Sequence, residues 1–221
     1  MELQEIRDYL IDLIFPNRCP FCSDFIKWDK LCCNDCFNAI EWVHDNEFDA
    51  ANKHFDISFT ATYYSGVSKK AVLNLKSILE LGYAKIVAGE LASKLYENGY
   101  NNADMIVPVP MSKKKMKKVG FNHSEVYADE LSRCLKVKKI NLLYKNNVNI
   151  EQHTINASER LKNVKGMFYI DKNASLSGKT IILCDDVITT GATMNECAKM
   201  LREKGAKEII AVSAAKQHDL N

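Results

Sequence analysis

Two stretches of this sequence carry residue types at spacings that could do chemistry. The first, CDDVITTGAT, runs from Cys184 to Thr193: two adjacent acids, then three threonines around one glycine. It follows the apolar run KTIIL and leads into MNECAKMLREKG, whose apolar spacing is helical. The first amides of a helix have no partner inside it and carry the positive end of its dipole, so the loop Thr189–Thr193 is a cup for a phosphate. Gly191 allows close backbone approach, the hydroxyls of Thr189, Thr190 and Thr193 can donate to phosphate oxygens, and Ala192 completes the loop. Asp185 and Asp186 would repel the phosphate; they suit vicinal hydroxyls or a hydrated magnesium ion. A phosphate cup beside hydroxyl-binding acids describes a ribose 5-phosphate site, the combination presented by 5-phosphoribosyl 1-diphosphate (PRPP). A bare strand-to-helix turn with a threonine cap would not need paired acids at the buried end of an apolar strand, where unpaired charge is expensive.

The second stretch, NRCPFCSDFIKWDKLCCNDC, holds two Cys-x-x-Cys pairs, Cys19/Cys22 and Cys33/Cys36. Each pair can set two thiolates on one face of a metal, and two pairs complete a tetrahedral site of the zinc-ribbon kind. Four thiolates leave no open coordination position, so the expected role of Zn2+ is structural. Cys32 could stand in for Cys33, at the expense of the two-residue spacing. The other cysteines, Cys134, Cys184 and Cys197, sit at apolar positions that favour core packing. The five histidines show no metal-like pairing.

These two constellations need different supports. A chain of 221 residues with 47% apolar residues can bury a core of one or two domains. A formal net charge of +2 excludes a global field for nucleic acid or anionic membrane, so basic function must be local. No apolar run reaches the roughly 18 residues of a membrane span, and the start MELQEIRDYLIDLIF is acidic and amphipathic rather than a secretory leader, which predicts a cytoplasmic protein without membrane insertion. From about Asp56 the chain alternates strand and helix. DISFTATYY, ADMIVPVP, KKINLLY, KTIILCDD and KEIIAVSAA read as strands; SKKAVLNLKSILE, YAKIVAGELASKLYENG, FNHSEVYADELSRCL, SERLKNVKG and the segment after TTGAT read as helices. That order predicts an α/β fold, a mostly parallel sheet with helices on both faces, plus a small N-terminal zinc-ribbon lobe. The expected division is residues 1–50 for the N-terminal helix and ribbon and residues 51–221 for the α/β domain. Ligands of such sheets sit beyond the carboxyl ends of the strands, where the loop after VPVP and CDDVITTGAT both lie.

The apolar strand, paired acids and Thr-Gly-x-Thr resemble the PRPP-binding motif of type I phosphoribosyltransferases. VPVPMSKKKMKKVGFNHSEVYADEL and QHTINASERLKNVKGMF, with the four-cysteine ribbon, resemble the corresponding segments of the ComF family of bacterial competence proteins across nearly the whole chain. The resemblance implies that Asp185 and Asp186 are the catalytic pair contacting ribose and Mg2+, that Thr189–Thr193 holds the 5-phosphate, and that Pro110, Met111, Ser112 and Lys113 form the diphosphate loop. It implies that Lys76 reaches anionic oxygens and that Gln152, Arg160 and Asn163 belong to a mobile cover that excludes water. Two positions depart from the family pattern: the arginine before Gly-Phe-Asn is Val119, which Lys118 can replace only as a point charge, and the following glutamine is His123.

The family resemblance further implies a role in DNA uptake and transformation, with single-stranded DNA and a helicase-like ComFA partner. The run KKKMKK, Lys113 to Lys118, can meet DNA phosphates, meet diphosphate, or be a solvated face. Three activities fit: phosphoribosyl binding in competence, a non-catalytic PRPP or nucleotide sensor, and a salvage-type phosphoribosyltransferase. The residues announce no acceptor and no oligomeric state.

Overall fold

Alternate residues of the apolar runs face opposite ways, and the sheet they build is covered on both sides. The computed structural model describes residues 17–44, 53–75, 81–146 and 167–218. Strands β1 (Ile57–Tyr63), β2 (Met105–Pro108), β5 (Thr180–Ile188) and β6 (Glu208–Lys216) form one sheet in the order β1-β6-β5-β2, every pair parallel. Ile182 and Ile210 point to the side where Tyr83, Leu91 and Leu95 of α3 (Gly82–Glu97) pack with Tyr127 and Leu131 of α5 (His123–Leu135). Their neighbours Ile181, Leu183 and Ile209 point to the other side, against Met194, Cys197 and Leu201 of α6 (Ala192–Glu203). Burial on both faces explains why these strands read as continuous apolar runs rather than alternating ones.

The remaining elements are short. Helix α1 (Asn34–Asn38) carries Cys36, α2 (Gly66–Asn74) follows β1, and α4 (Lys113–Val119) follows β2. Strands β3 (Leu143–Lys145) and β4 (Phe168–Ile170) pair antiparallel in a separate two-stranded sheet. The expected strand KKINLLY is therefore shorter than its pattern suggests: Lys139 makes a single parallel bridge to Ile106, and regular pairing starts at Leu143. The expected helix SERLKNVKG lies outside the described residues, as does the end of SKKAVLNLKSILE.

The cysteine segment is held on the edge of β1. Trp42 bridges Thr62 antiparallel, the Val43 amide donates to the Ala61 carbonyl at 3.0 Å, and the Tyr63 amide donates to the Glu41 carbonyl at 2.8 Å. The edge amides and carbonyls of β1 are thus partnered instead of left open. Lys94 of α3 reaches the same seam, donating to the Val43 carbonyl and to the Thr60 carbonyl at 2.9 Å. On the far side Gly82 lets the ribbon come close, since a Cβ there would stand 2.5 Å from the Leu31 carbonyl oxygen.

Candidate functional site

Pairing of β2 with β5 brings the two strand-end loops together. Pro108 is in register with Cys184, and the Val109 amide donates to the Cys184 carbonyl at 2.8 Å, so Pro110, Met111, Ser112 and Lys113 leave the sheet beside the two acids. Ser112 caps α4 by accepting from the Lys115 amide. Strand β5 continues past Asp185 and Asp186 through Val187 and Ile188, so both acids sit within it.

The first turn of α5 grips this acid pair. Asn122 caps the helix, accepting from the Ser124 amide at 3.2 Å, and ties it to the loop that leaves β2 by donating from Nδ2 to the Val109 carbonyl at 2.9 Å. Ser124 Oγ then donates to Asp185 Oδ1 at 2.9 Å, and His123 Nδ1 stands 3.5 Å from Asp186 Oδ2. Backbone amides add to this: Asp186 N–H donates to Asp185 Oδ1 at 2.9 Å and Val187 N–H to Asp186 Oδ1 at 2.7 Å. The two carboxyls separate in character. Burial, then the Asp186 charge, pushes Asp185 up to about 8 against the pull of Ser124. Burial also opposes ionisation of Asp186, but His123, the Val187 amide, Asp185 and Lys115 outweigh it and hold that carboxyl below its usual value. The two acids therefore titrate as a coupled pair, in which Asp185 holds its proton more tightly than Asp186.

Beyond β5 the chain enters α6 through Gly191, which has φ +70° and no side chain to cap the helix. That left-handed conformation suits glycine. The Asn195 amide closes the first helical turn on the Gly191 carbonyl at 2.8 Å, and Thr190 Oγ1 accepts from the Ala192 amide at 3.4 Å. Thr189 is exposed, while Thr190, Ala192 and Thr193 are half-buried around the helix start, an arrangement that leaves hydroxyls and amides to meet an anion.

The four cysteines of the second constellation converge. The sulfurs of Cys19, Cys22, Cys33 and Cys36 all lie within 4.8 Å of one another, with Cys19–Cys33 at 3.7 Å and Cys22–Cys33 at 3.8 Å. Four sulfurs each about 2.3 Å from a tetrahedral metal stand about 3.8 Å apart, so the donor set fits zinc. Burial opposes ionisation of Cys19, but bonds from the amides of Cys33, Cys22 and Phe21 outweigh it and bring the thiol down to about 7. Cys32 lies outside this group and packs on the core.

Residues 74–220 match the phosphoribosyl transferase domain. The chain belongs to that family. Ahead of the phosphoribosyl transferase domain, residues 10–47 match the double zinc ribbon domain, and with the four-sulfur cluster this supports a structural Zn2+. The chain is 34% identical over 109 residues to Competence protein F of Haemophilus influenzae, covering 48% of this chain and 47% of the relative. It is 37% identical over 101 residues to Competence protein ComFC of Bacillus subtilis, covering 46% and 39%, and 30% identical over 112 residues to DNA utilization protein YhgH of Escherichia coli K12, covering 50% and 48%. The chain spans about half the length, or less, of these curated relatives. Among the described residues no helix is long and apolar enough to cross a membrane.

Within the phosphoribosyl transferase domain the structure brings Asp185, Asp186, the Thr189–Thr193 loop and the Pro110–Lys113 loop to one end of the sheet. Lys76, Gln152, Arg160 and Asn163 lie outside the described residues. Sequence reasoning missed Ser124, which follows the helix cap without any motif of its own. His123 was visible only as a departure from the family pattern; its Nε2 is buried with no hydrogen-bond partner among the described residues.

The raised Asp185 carboxyl has a consequence for stability. Between its ordinary pKa near 3.8 and about 8, the unfolded chain gives up a proton that the folded chain keeps, so stability falls as pH rises through that window. Asp185→Asn should therefore stabilise the ligand-free, magnesium-free protein by on the order of 1–3 kcal/mol at pH 8 and have little effect near pH 4. Urea unfolding at the two pH values measures this; an equal change at both would contradict it.

Proposed function

We propose that this chain is a ComFC-like protein of the phosphoribosyltransferase fold that binds PRPP with Mg2+ and acts in DNA uptake and natural transformation. The observation that carries the reading is a split acid pair, gripped by Ser124 and His123, set immediately before a glycine-capped helix start. In this reading the Thr189–Thr193 loop holds the 5-phosphate, the acids meet the ribose hydroxyls and hydrated magnesium, and Pro110–Lys113 lies along the diphosphate. Magnesium, when bound, neutralises charge on the leaving diphosphate. The chain's own part is to fix the sugar so that C1 faces an acceptor, and to exclude water while diphosphate departs with the C1–O electron pair. Residues 1–50 are the zinc-bearing lobe and residues 51–221 the ligand-binding domain.

The role in transformation rests on the names of the competence relatives; the partners we propose with it, single-stranded DNA and a ComFA-like helicase, rest on the family resemblance alone. Helix α4 supplies a surface for such DNA, because its five lysines are exposed. Calorimetry with PRPP tests the ligand: binding that requires Mg2+ and is competed by ribose 5-phosphate is expected, and no heat with or without magnesium would refute the site. Release of diphosphate with candidate acceptors then separates transfer from sensing.

A further inference from the structure

We propose that the outer face of α3, with the groove beside it, is a self-association surface across which a second copy of this chain packs antiparallel. It stands whether or not the chain binds PRPP.

The fold leaves this face bare. Lys85, Gly89, Ser93 and Glu97 recur every four residues along one side of α3, and all four are exposed, as is Tyr96 at 54%. Beside the first of them runs a groove of about 540 Å3 whose apolar walls are Leu31, Phe37 and Trp42 of the cysteine segment and Ile86 of α3. Leu31 and Phe37 are themselves 42% and 46% exposed. Gly89 also borders the groove. A glycine inside a helix weakens it relative to alanine, and here the chain's own packing does not require one. Gly82 is needed because a Cβ would stand 2.5 Å from the Leu31 carbonyl oxygen, whereas a Cβ on Gly89 would meet nothing within 4 Å among the described residues. The space kept at Gly89 suits a backbone that comes from outside the chain.

The exposed stripe is complementary to an inverted copy of itself. Lys85 stands at one end and Glu97, which accepts from Ser93 Oγ at 3.1 Å, at the other; neither makes an ion pair among the described residues. About a two-fold axis midway between Gly89 and Ser93, a second α3 sets its Ser93 opposite Gly89, its Glu97 opposite Lys85 and its Tyr96 opposite Ile86. Each relation occurs twice, as in any isologous contact. The small pair lets the i±4 rows of the two helices interlock closely, and the ends meet as opposite charges. Tyr96 enters the groove at Ile86, where Leu31, Phe37 and Trp42 give its ring an apolar seat. A parallel crossing would set Lys85 against Lys85 and Glu97 against Glu97, so charge selects the antiparallel one. A nucleic acid would need cations throughout the stripe, and this one carries a single charge of each sign. One helix pair with two tyrosine anchors is a small interface, so a micromolar dimer is expected.

Sedimentation velocity of the full chain between about 1 and about 200 µM tests this, with circular dichroism to show equal folding of the variants. Wild type should move from monomer toward dimer across that range. Gly89→Leu fills the space without touching the chain's own packing and should stay monomeric throughout. Lys85→Glu should weaken the dimer by about tenfold or more, because it sets like charges together twice, and adding Glu97→Lys should recover most of the loss by restoring opposite charges. A wild type that is monomeric at the highest concentration, a dimer that persists in Gly89→Leu, or a Lys85→Glu loss that Glu97→Lys does not recover would each overturn the proposal. The first of these would leave the groove to a different protein.

Discussion

Replacing Asp185 and Asp186 together by asparagine should abolish magnesium-dependent PRPP binding, a loss of at least about 100-fold, while the protein stays folded. The size follows from the contacts removed: each carboxylate bond to a ribose hydroxyl or to magnesium-bound water is charge-assisted and contributes about 1.5–3 kcal/mol, and two of them exceed the 2.7 kcal/mol of a hundredfold change. The fold survives because the asparagine carbonyls can still accept from Ser124 Oγ and from the amides of Asp186 and Val187, which now hold Asp185 and Asp186 in place. Calorimetry of both proteins with PRPP and Mg2+, alongside urea unfolding, gives the two readouts. Binding by the double variant equal to that of wild type would remove the acids from the site.

Removal of zinc is expected to unfold the cysteine segment and leave the sheet intact. Structural zinc sites contribute an apparent binding energy of about 10–16 kcal/mol, far more than a lobe this short gains from its own core. Cys19, Phe21 and Cys36 are buried around the converging sulfurs, and without a metal to bind them the segment loses its centre. The chain has two tryptophans, Trp28 and Trp42, and both lie in this segment, so fluorescence reports on it selectively. Trp42 packs edge-on against Phe37 with centroids 5.9 Å apart and bridges to Thr62, and both contacts should be lost. A chelator at neutral pH, or Cys33→Ala, should red-shift the emission and increase its quenching by acrylamide, with the helix and strand signal of the α/β sheet largely retained. Metal content far below one zinc per chain after gentle purification, or emission unchanged by the chelator, would contradict this.

Both constellations named from the sequence meet in space because their chemistry is local. A Cys-x-x-Cys pair needs only one turn of chain to aim two sulfurs together, and the acid pair and phosphate loop are consecutive residues of one strand-loop-helix unit. The alternation of strands and helices was equally legible, since KTIILCDD and KEIIAVSAA are apolar on both faces and only a sheet covered on two sides explains that. Short elements were not: three residues of β3 carry no period, and Lys139 in the expected strand makes only a bridge.

By itself, then, the sequence determined the α/β architecture and the four cysteines that converge as metal donors, because each depends on residue type at short spacing. Only the tertiary structure decided what surrounds that chemistry. Ser124 and His123 reach the acids because α5 crosses the end of β5. The unequal carboxyls arise the same way: two identical side chains, adjacent in sequence, differ because one is buried beside a hydroxyl and the other meets an imidazole and a distant lysine. Spacing along a chain cannot specify such contacts, since they are set by how helices and hairpins pack across the strand ends.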